Sequence, residues 1–252
     1  MKYRWLFFIL CNISVLSAKD TLSVYRLHYG IDVPIFTISG ALGIGSIFLE
    51  KKLTPIRWEE VQSLDANNVN RFDRYAVEQH SDFADKSSDL LLYTSMASPA
   101  LLFTTKNARD HWKYILPMWV ETFALNTSLN LTVKAISGRI RPYVYRQDDD
   151  NYGKSARSSF YSGHTSSSSS STFFLAMVYA QLYPSSRWKP LIWTSAALLP
   201  ALTGICRVEA GQHYWTDVIA GYAIGASIGS LIPLLHKKIF RNRIPSKIPK
   251  SM

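Results

Sequence analysis

The sequence predicts an all-α fold, a polytopic transmembrane bundle of five or six membrane helices. Three observations predict it. Charged residues make up only 18% of the 252, against 47% apolar, where ordinary globular domains carry about 25% charged. That charge is unevenly spread, and six segments hold almost none of it. Each of the six ends in charged or turn residues. The length fits one domain, or at most two small ones. So much apolar material excludes a disordered chain. Two cysteines, Cys11 and Cys206, are too few for a disulfide framework or a cysteine-based structural zinc site. A mean hydropathy of -0.01 keeps one alternative in view, a soluble core whose helices are apolar all round.

The elements follow in order. Met1 to Arg4 is basic, Trp5 to Leu10 is apolar, and small residues stand at Ser17 and Ala18. This pattern reads as a signal peptide over 1–18, with a short uncleaved anchor as the alternative. The region 19–87 contains Ile31–Leu49, which carries Pro34, Gly40, Gly43 and Gly45. Those residues leave it either interfacial, re-entrant or membrane-spanning. The stretch 51–89 is polar and reads as an extramembrane loop with short helices. A helical core is expected over 88–236, built from Leu90–Thr105, Ile115–Val133, Thr165–Tyr183, Leu191–Ile205 and Val218–Leu235. Each approaches the roughly 20 residues that cross a bilayer, and Glu121 is the one full charge inside them. The serine run Ser166–Ser171 has linker composition. Yet Thr172-Phe173-Phe174-Leu175 follows directly, with no Pro or Gly between. The serines are therefore read as helix, their hydroxyls bonding back to backbone carbonyls and their small size admitting a close neighbour. Residues 237–252 form a basic tail.

Lys and Arg number 28 and Asp and Glu 18, so the net charge is 28 − 18 = +10. A basic balance fits nucleic acid, an anionic lipid surface or a phosphate-bearing substrate. No basic helix or aromatic-plus-basic sheet pattern accompanies it, so no nucleic-acid partner is expected.

Three clusters at helix ends carry the chemistry: Lys134 with Arg141-Pro142, then Ser162-Gly163-His164, then Arg207 with His213 and Asp217. Lys134, Arg141 and Arg207 repel one another unless an anion sits between them. Arginine suits bidentate contact with phosphate oxygens, and lysine adds a point charge. Ser162 and Gly163 precede a helix start, where free N–H groups favour an anion. His213 and Asp217 are four apart, which on a helix puts them on one face. A carboxylate on one ring nitrogen would leave the other free to attack. His164 stands beside the phosphate-binding turn, placed to protonate a leaving oxygen. Together these residues fit phosphate-ester hydrolysis through a phosphohistidine. The three cations supply the charge stabilisation, so no metal and no cofactor is called for. Arg139 is a further cation beside the first cluster. Asp148-Asp149-Asp150 reads as a solvated turn, and His28, His80, His111 and His236 as interfacial histidines.

The three clusters resemble the signature of the type 2 phosphatidic acid phosphatase superfamily: Lys-x6-Arg-Pro, Pro-Ser-Gly-His and Ser-Arg-x5-His-x3-Asp. Here Tyr161 stands for the Pro of the second block and Cys206 for the Ser of the third. The resemblance covers about 88–236. It implies that Lys134, Arg141, Ser162, Gly163 and Arg207 hold phosphate. It also implies that His213 is the nucleophile, His164 the general acid and Asp217 the partner of His213. The substrate so implied is a phosphorylated lipid met at the bilayer: lipid A phosphates, undecaprenyl diphosphate, phosphatidate or phosphatidylglycerophosphate. Rival readings are a soluble periplasmic acid phosphatase, a vanadium-dependent haloperoxidase, and a transporter or non-enzymatic lipid-binding protein. Lys106, Arg109, Lys113, Arg187, Lys189 and the basic tail alternate with the connections that bear the clusters. The positive-inside rule then puts the clusters on the outer face of a bacterial inner membrane.

Overall fold

The computed structural model describes residues 23–148 and 152–238. The expected signal peptide, Cys11, most of the tail and Asp149-Asp150 lie outside them. Six long helices run alternately up and down: α1 (Tyr29–Lys52), α2 (Asp82–Ala97), α3 (Trp112–Ser137), α4 (Gly163–Leu182), α5 (Lys189–Glu209) and α6 (Trp215–His236). The remaining helical pieces are short turns in the connections. The chain is an all-α membrane protein, and α1, α5 and α6 are each long and apolar enough to cross a bilayer. Large aliphatic and aromatic side chains cover the outside, among them Ile44, Phe48, Leu191, Leu198, Ile219 and Leu231. An apolar surface of that extent fits lipid rather than water.

The interior is the reverse. Ser166, Ser168, Ser169, Ser170 and Thr172 of α4 are buried, so the serine run is the central helix of the bundle. It packs most extensively on α6. Gly221, Gly225 and Gly229 of α6 lie against the backbone of Ser162, just before α4, and of Ser166 and Ser170 within it. Both stripes advance by four residues, one helical turn, so the two backbones touch along the whole seam. The Thr172 hydroxyl donates to the Ala196 carbonyl of α5 (3.0 Å), and that of Ser168 to Ser95 of α2 (2.7 Å).

Two boundaries differ from expectation. The segment expected at Leu90–Thr105 begins at Asp82, capped by Ser81, and its α-helix stops at Ala97. Asp82, Asp85, Lys86 and Asp89 hide its first half from any hydropathy reading, and Pro99 accompanies the change to 3₁₀ turns over Ser98–Thr104. Ile31–Leu49 lies within one continuous 24-residue helix despite Pro34, about 36 Å long. α1 runs parallel to α3: Leu42 accepts from Thr132 and Leu53 lies beside Gly138. Its C-terminal end is therefore at the end of the bundle where Lys134 stands. At the other end, Tyr25 and Lys237 form an antiparallel bridge, which ties the start of the described chain to its finish.

Candidate active site

One end of the bundle gathers the termini that bear the three clusters. α3 closes at Gly138, whose φ of 53° is left-handed and whose N–H returns to the Lys134 carbonyl. Lys134 thus occupies the last turn of α3 and is half-buried there. α4 opens at Ser162, the N-cap, whose oxygen accepts from the Thr165 N–H. That leaves the first-turn N–H groups of Gly163 and His164 without helical acceptors. A Cβ on Gly163 would lie 2.9 Å from Asn130 Oδ1 and 3.6 Å from Lys134 Nζ, so glycine lets the ammonium close over the turn. α5 ends just after Arg207. The turn to α6 passes through Gly211, with φ 67°, where a side chain would meet the Gln79 carbonyl.

His213 sits in that turn, fully buried, and not on a helix. Its relation to Asp217 is therefore not the helical one expected from their spacing. Asp217 is the third residue of α6, and its Oδ2 accepts from the Tyr214 N–H (3.1 Å) and the Ser159 hydroxyl (2.6 Å). The capping bond draws the chain back, so that His213 Nδ1 comes to 3.4 Å from Oδ2. This is contact without a hydrogen bond, and Nδ1 has no hydrogen-bond partner among the described residues.

The charges around His213 come from four places. Burial first, then the charges of Arg141, Lys134, Arg207 and His164, hold its pKa well below 6.5. Arg141 donates from Nε to the Ser155 carbonyl (3.1 Å) and from Nη1 to the Gln212 side chain (3.0 Å); its own pKa is lowered by burial. Arg207 donates from Nη1 to Asp85 (2.5 Å) and Ser88 (3.2 Å) of α2, while its buried Nε has no partner among the described residues. Ser162 is buried, and its N–H donates to the Asp217 carbonyl (3.1 Å). Every residue of the three clusters is thus brought to one end of the molecule.

Several residues beside them escaped the sequence reading. His164 Nε2 lies 2.8 Å from Asp89 Oδ1, so this histidine does have a carboxylate, on α2. Asp85 and Asp89 are four apart and share a face of α2, a spacing that was present to be read. Asp73 sits in the polar stretch, fully buried. It accepts from the Thr216 N–H (2.9 Å) and hydroxyl (2.7 Å) and from Arg139 (2.8 Å). Burial alone would raise its pKa, but the bonds from Thr216, Asn70 and Arg139 hold it below 3.8. Arg139 reaches Asp217 with its other nitrogen (2.5 Å) and lies over the Tyr214 ring. Burial works against its charge, yet Asp217 and Asp73 prevail and raise its pKa. It joins two acids rather than facing the cluster of cations. Tyr161 is buried, its carbonyl accepting from Asn130 (2.9 Å). Cys206 is unpaired and half-buried. Asp148 is exposed and bonded to Arg146 (2.8 Å). An open cleft of about 190 Å³ borders the site on the water side, lined by His80, Asp82, Asp85, Tyr143, Arg146 and Gln212 among others.

Comparison with known proteins gives three findings. Residues 111–241 match the PAP2 superfamily. Phospholipid phosphatase 1 of Mus musculus is 28% identical over 114 residues, 44% of this chain and 40% of that protein. Phospholipid phosphatase 2 of Bos taurus is 28% identical over 151 residues, 50% of this chain and 52% of that protein. The chain thus spans about half the length of these relatives. Among solved structures, a transmembrane PAP2-type phosphatidylglycerolphosphate phosphatase from Bacillus subtilis aligns over 86% of this chain and all of that one, at a TM-score of 0.50 and 22% identity. That likeness is one of fold.

Proposed function

Because the chain belongs to the PAP2 superfamily, we propose that it is a membrane-embedded hydrolase that removes phosphate from a phosphorylated lipid or lipid pyrophosphate. The observation that supports this best is positive charge with little to neutralise it. Lys134, Arg141 and Arg207 all act on the buried His213, and Asp85 on Arg207 is the one carboxylate hydrogen-bonded to any of the three among the described residues. A phosphate group supplies what is missing. Its oxygens take Lys134, Arg141, the open Nε of Arg207 and the first-turn N–H groups at Gly163, with Ser162 shaping that turn. All six long helices then cross the bilayer, and the substrate keeps its tail in lipid.

The reaction follows from the same residues. Nε2 of neutral His213 attacks phosphorus, and the bond to the leaving oxygen breaks as His164 gives that oxygen a proton. Water then attacks the phosphohistidine, with His164 taking its proton, and inorganic phosphate leaves. Asp217 stabilises the charged His213 ring, and Asp89 holds His164.

The test is phosphate release by the detergent-purified chain over a panel of lipid phosphates and pyrophosphates, with p-nitrophenyl phosphate beside them. Release from at least one lipid, blocked by vanadate and absent in His213→Ala, is expected. His164→Ala should lose about 10²–10⁴-fold on the lipid, whose alkoxide needs a proton, and far less on the nitrophenyl ester. Turnover of soluble esters alone would favour a non-specific acid phosphatase. Lipid binding without turnover would make the chain a binding protein. Equal loss on both substrates in His164→Ala, with activity left in His213→Ala, would reverse the two roles.

A further inference from the structure

The end of the bundle away from the site holds a second cluster, which hydrolysis does not use. Asp32 stands in the first turn of α1, Glu121 in α3, and His236 is the last residue of α6. At 1.5 Å per residue along α3, Glu121 is about 20 Å from Lys134. His236 and Glu121 are fully buried, whereas the Asp32 side chain is 17% exposed. The sequence made His236 an ordinary interfacial histidine; the structure corrects that, because α1 and α3 close over it.

The hydrogen bonding at His236 is one-sided. Nδ1 lies 2.8 Å from the Ile232 carbonyl. A carbonyl only accepts, so Nδ1 carries a proton and donates it. In its neutral form the ring turns the lone pair of Nε2 toward Asp32 Oδ1 at 2.7 Å and Glu121 Oε2 at 3.4 Å. Such a lone pair is relieved either by a proton on Nε2, which then donates to Asp32, or by a metal cation held between the three groups. Glu121 adds to this: neither of its buried oxygens has a hydrogen-bond partner among the described residues, a state that costs a carboxylate dearly unless it holds a proton or a cation.

We propose that Asp32, Glu121 and His236 form a binding site for a divalent transition-metal ion of the zinc class. One atom from each lies within 4.8 Å of the other two. A neutral imidazole, two carboxylates and a dication sum to no net charge, which suits a buried position. Tetrahedral ligands at about 2.1 Å from a metal stand about 3.4 Å apart. The His236–Glu121 separation is already 3.4 Å, and the His236–Asp32 contact has to open by roughly 0.7 Å to match. Asp32 is the partly exposed member, which leaves a fourth position to water. Magnesium and calcium prefer six or more oxygens; one imidazole with two carboxylates suits zinc, cobalt or manganese better. The ion fastens three helices at the point where the described chain begins and ends. Arg26 N–H donates to the His236 carbonyl (2.9 Å) and Lys238 N–H to Val24 (2.9 Å) across the same place. Its role is that of a clasp, separate from catalysis.

The experiment uses the full chain, purified in detergent without a histidine tag, stripped by chelator and titrated with Zn²⁺, Mg²⁺ or, as a spectroscopic probe, Co²⁺. Zn²⁺ and Co²⁺ should bind at one equivalent per chain. Co²⁺ should show the visible bands of tetrahedral coordination. Tm should rise by at least about 5 °C at saturation, with no such rise for Mg²⁺. Glu121→Gln and Asp32→Asn should lose the bands and the shift, and His213→Ala should keep both. Phosphate release measured well below Tm should be the same in stripped and loaded protein. A wild-type chain that binds neither Zn²⁺ nor Co²⁺ overturns the proposal and makes the cluster a holder of protons. Binding that survives in the Glu121→Gln, Asp32→Asn double variant overturns it as well. The wild-type titration decides the matter even if a variant does not fold.

Discussion

On the proposed mechanism His213 has to be neutral to attack, and its surroundings keep it so. Burial first, then the charges of Arg141, Lys134 and Arg207, hold its pKa well below 6.5. The unfolded chain has no such surroundings and takes up a proton below about 6.5. Below that pH the unfolded state therefore binds more protons than the folded one, and stability falls as pH falls. Above 6.5 the group contributes nothing to the pH dependence. At pH 5 its penalty reaches about 2 kcal/mol. In a phosphate-free buffer, His213→Gln should therefore lose less Tm than the wild type between pH 7 and pH 5. Parallel curves would mean that His213 is protonated in the folded state. His213, the cations around it and Asp217 were legible in the sequence because short fixed spacings connect them. Their supporting acids were not. Asp85 meets Arg207 across 122 positions and Asp73 meets Thr216 across 143, and a sequence does not record which distant loops return.

At the scale of elements, apolar runs bounded by charge marked five of the six long helices, because lipid-facing helices are apolar along their length. α2 was half lost because its first two turns carry acids directed at the site. The serine run was read as helix from its flanks, but the partner that needs its small size was not identifiable. That partner is α6. A Cβ on Gly225 would fall on the Ser166 carbonyl, and one on Gly221 within 2.6 Å of that of Ser162. The same seam ends at the site, where the Ser162 N–H bonds the Asp217 carbonyl (3.1 Å). Gly225→Val should push the two helices apart and cost about 1–3 kcal/mol. It should also lower phosphate release with every site residue intact. Gly45→Val on α1, where nothing lies within 4 Å, is the control and should leave both unchanged. If Gly225→Val lowers stability but not the rate, the seam does not position the site.

At the scale of the whole molecule, the two ends of the described chain meet through Tyr25 and Lys237, so the number of crossings between them is even. A reading in which Ile31–Leu49 stays out of the bilayer, leaving five crossings, would separate those ends. If all six long helices cross, the site lies at one face, and Arg26, Lys106, Arg109, Lys113, Arg187, Lys189, Lys237 and Lys238 lie at the other. The site face is basic too, but four of its arginines are paired with acids. Arg139 holds Asp73 and Asp217, Arg157 holds Glu60, Arg146 holds Asp148, and Arg207 holds Asp85. The cations of the opposite face stand in short connections and at chain ends, where the positive-inside rule has most force. That face is therefore expected in the cytoplasm, with the site outside. A leader over residues 1–18, as the sequence leads one to expect, would pull the other way. If residues 1–18 cross or are translocated and cleaved, Ser23 starts outside and the site turns inward. The two signals cannot both govern, and reporter fusions separate them. A reporter fused after Met252 should read as cytoplasmic, and one inserted after Asp148 as exoplasmic, because one cluster of cations outweighs a single short leader. The reverse pattern would show that the leader sets the topology and that the site meets its lipid from the cytoplasmic leaflet.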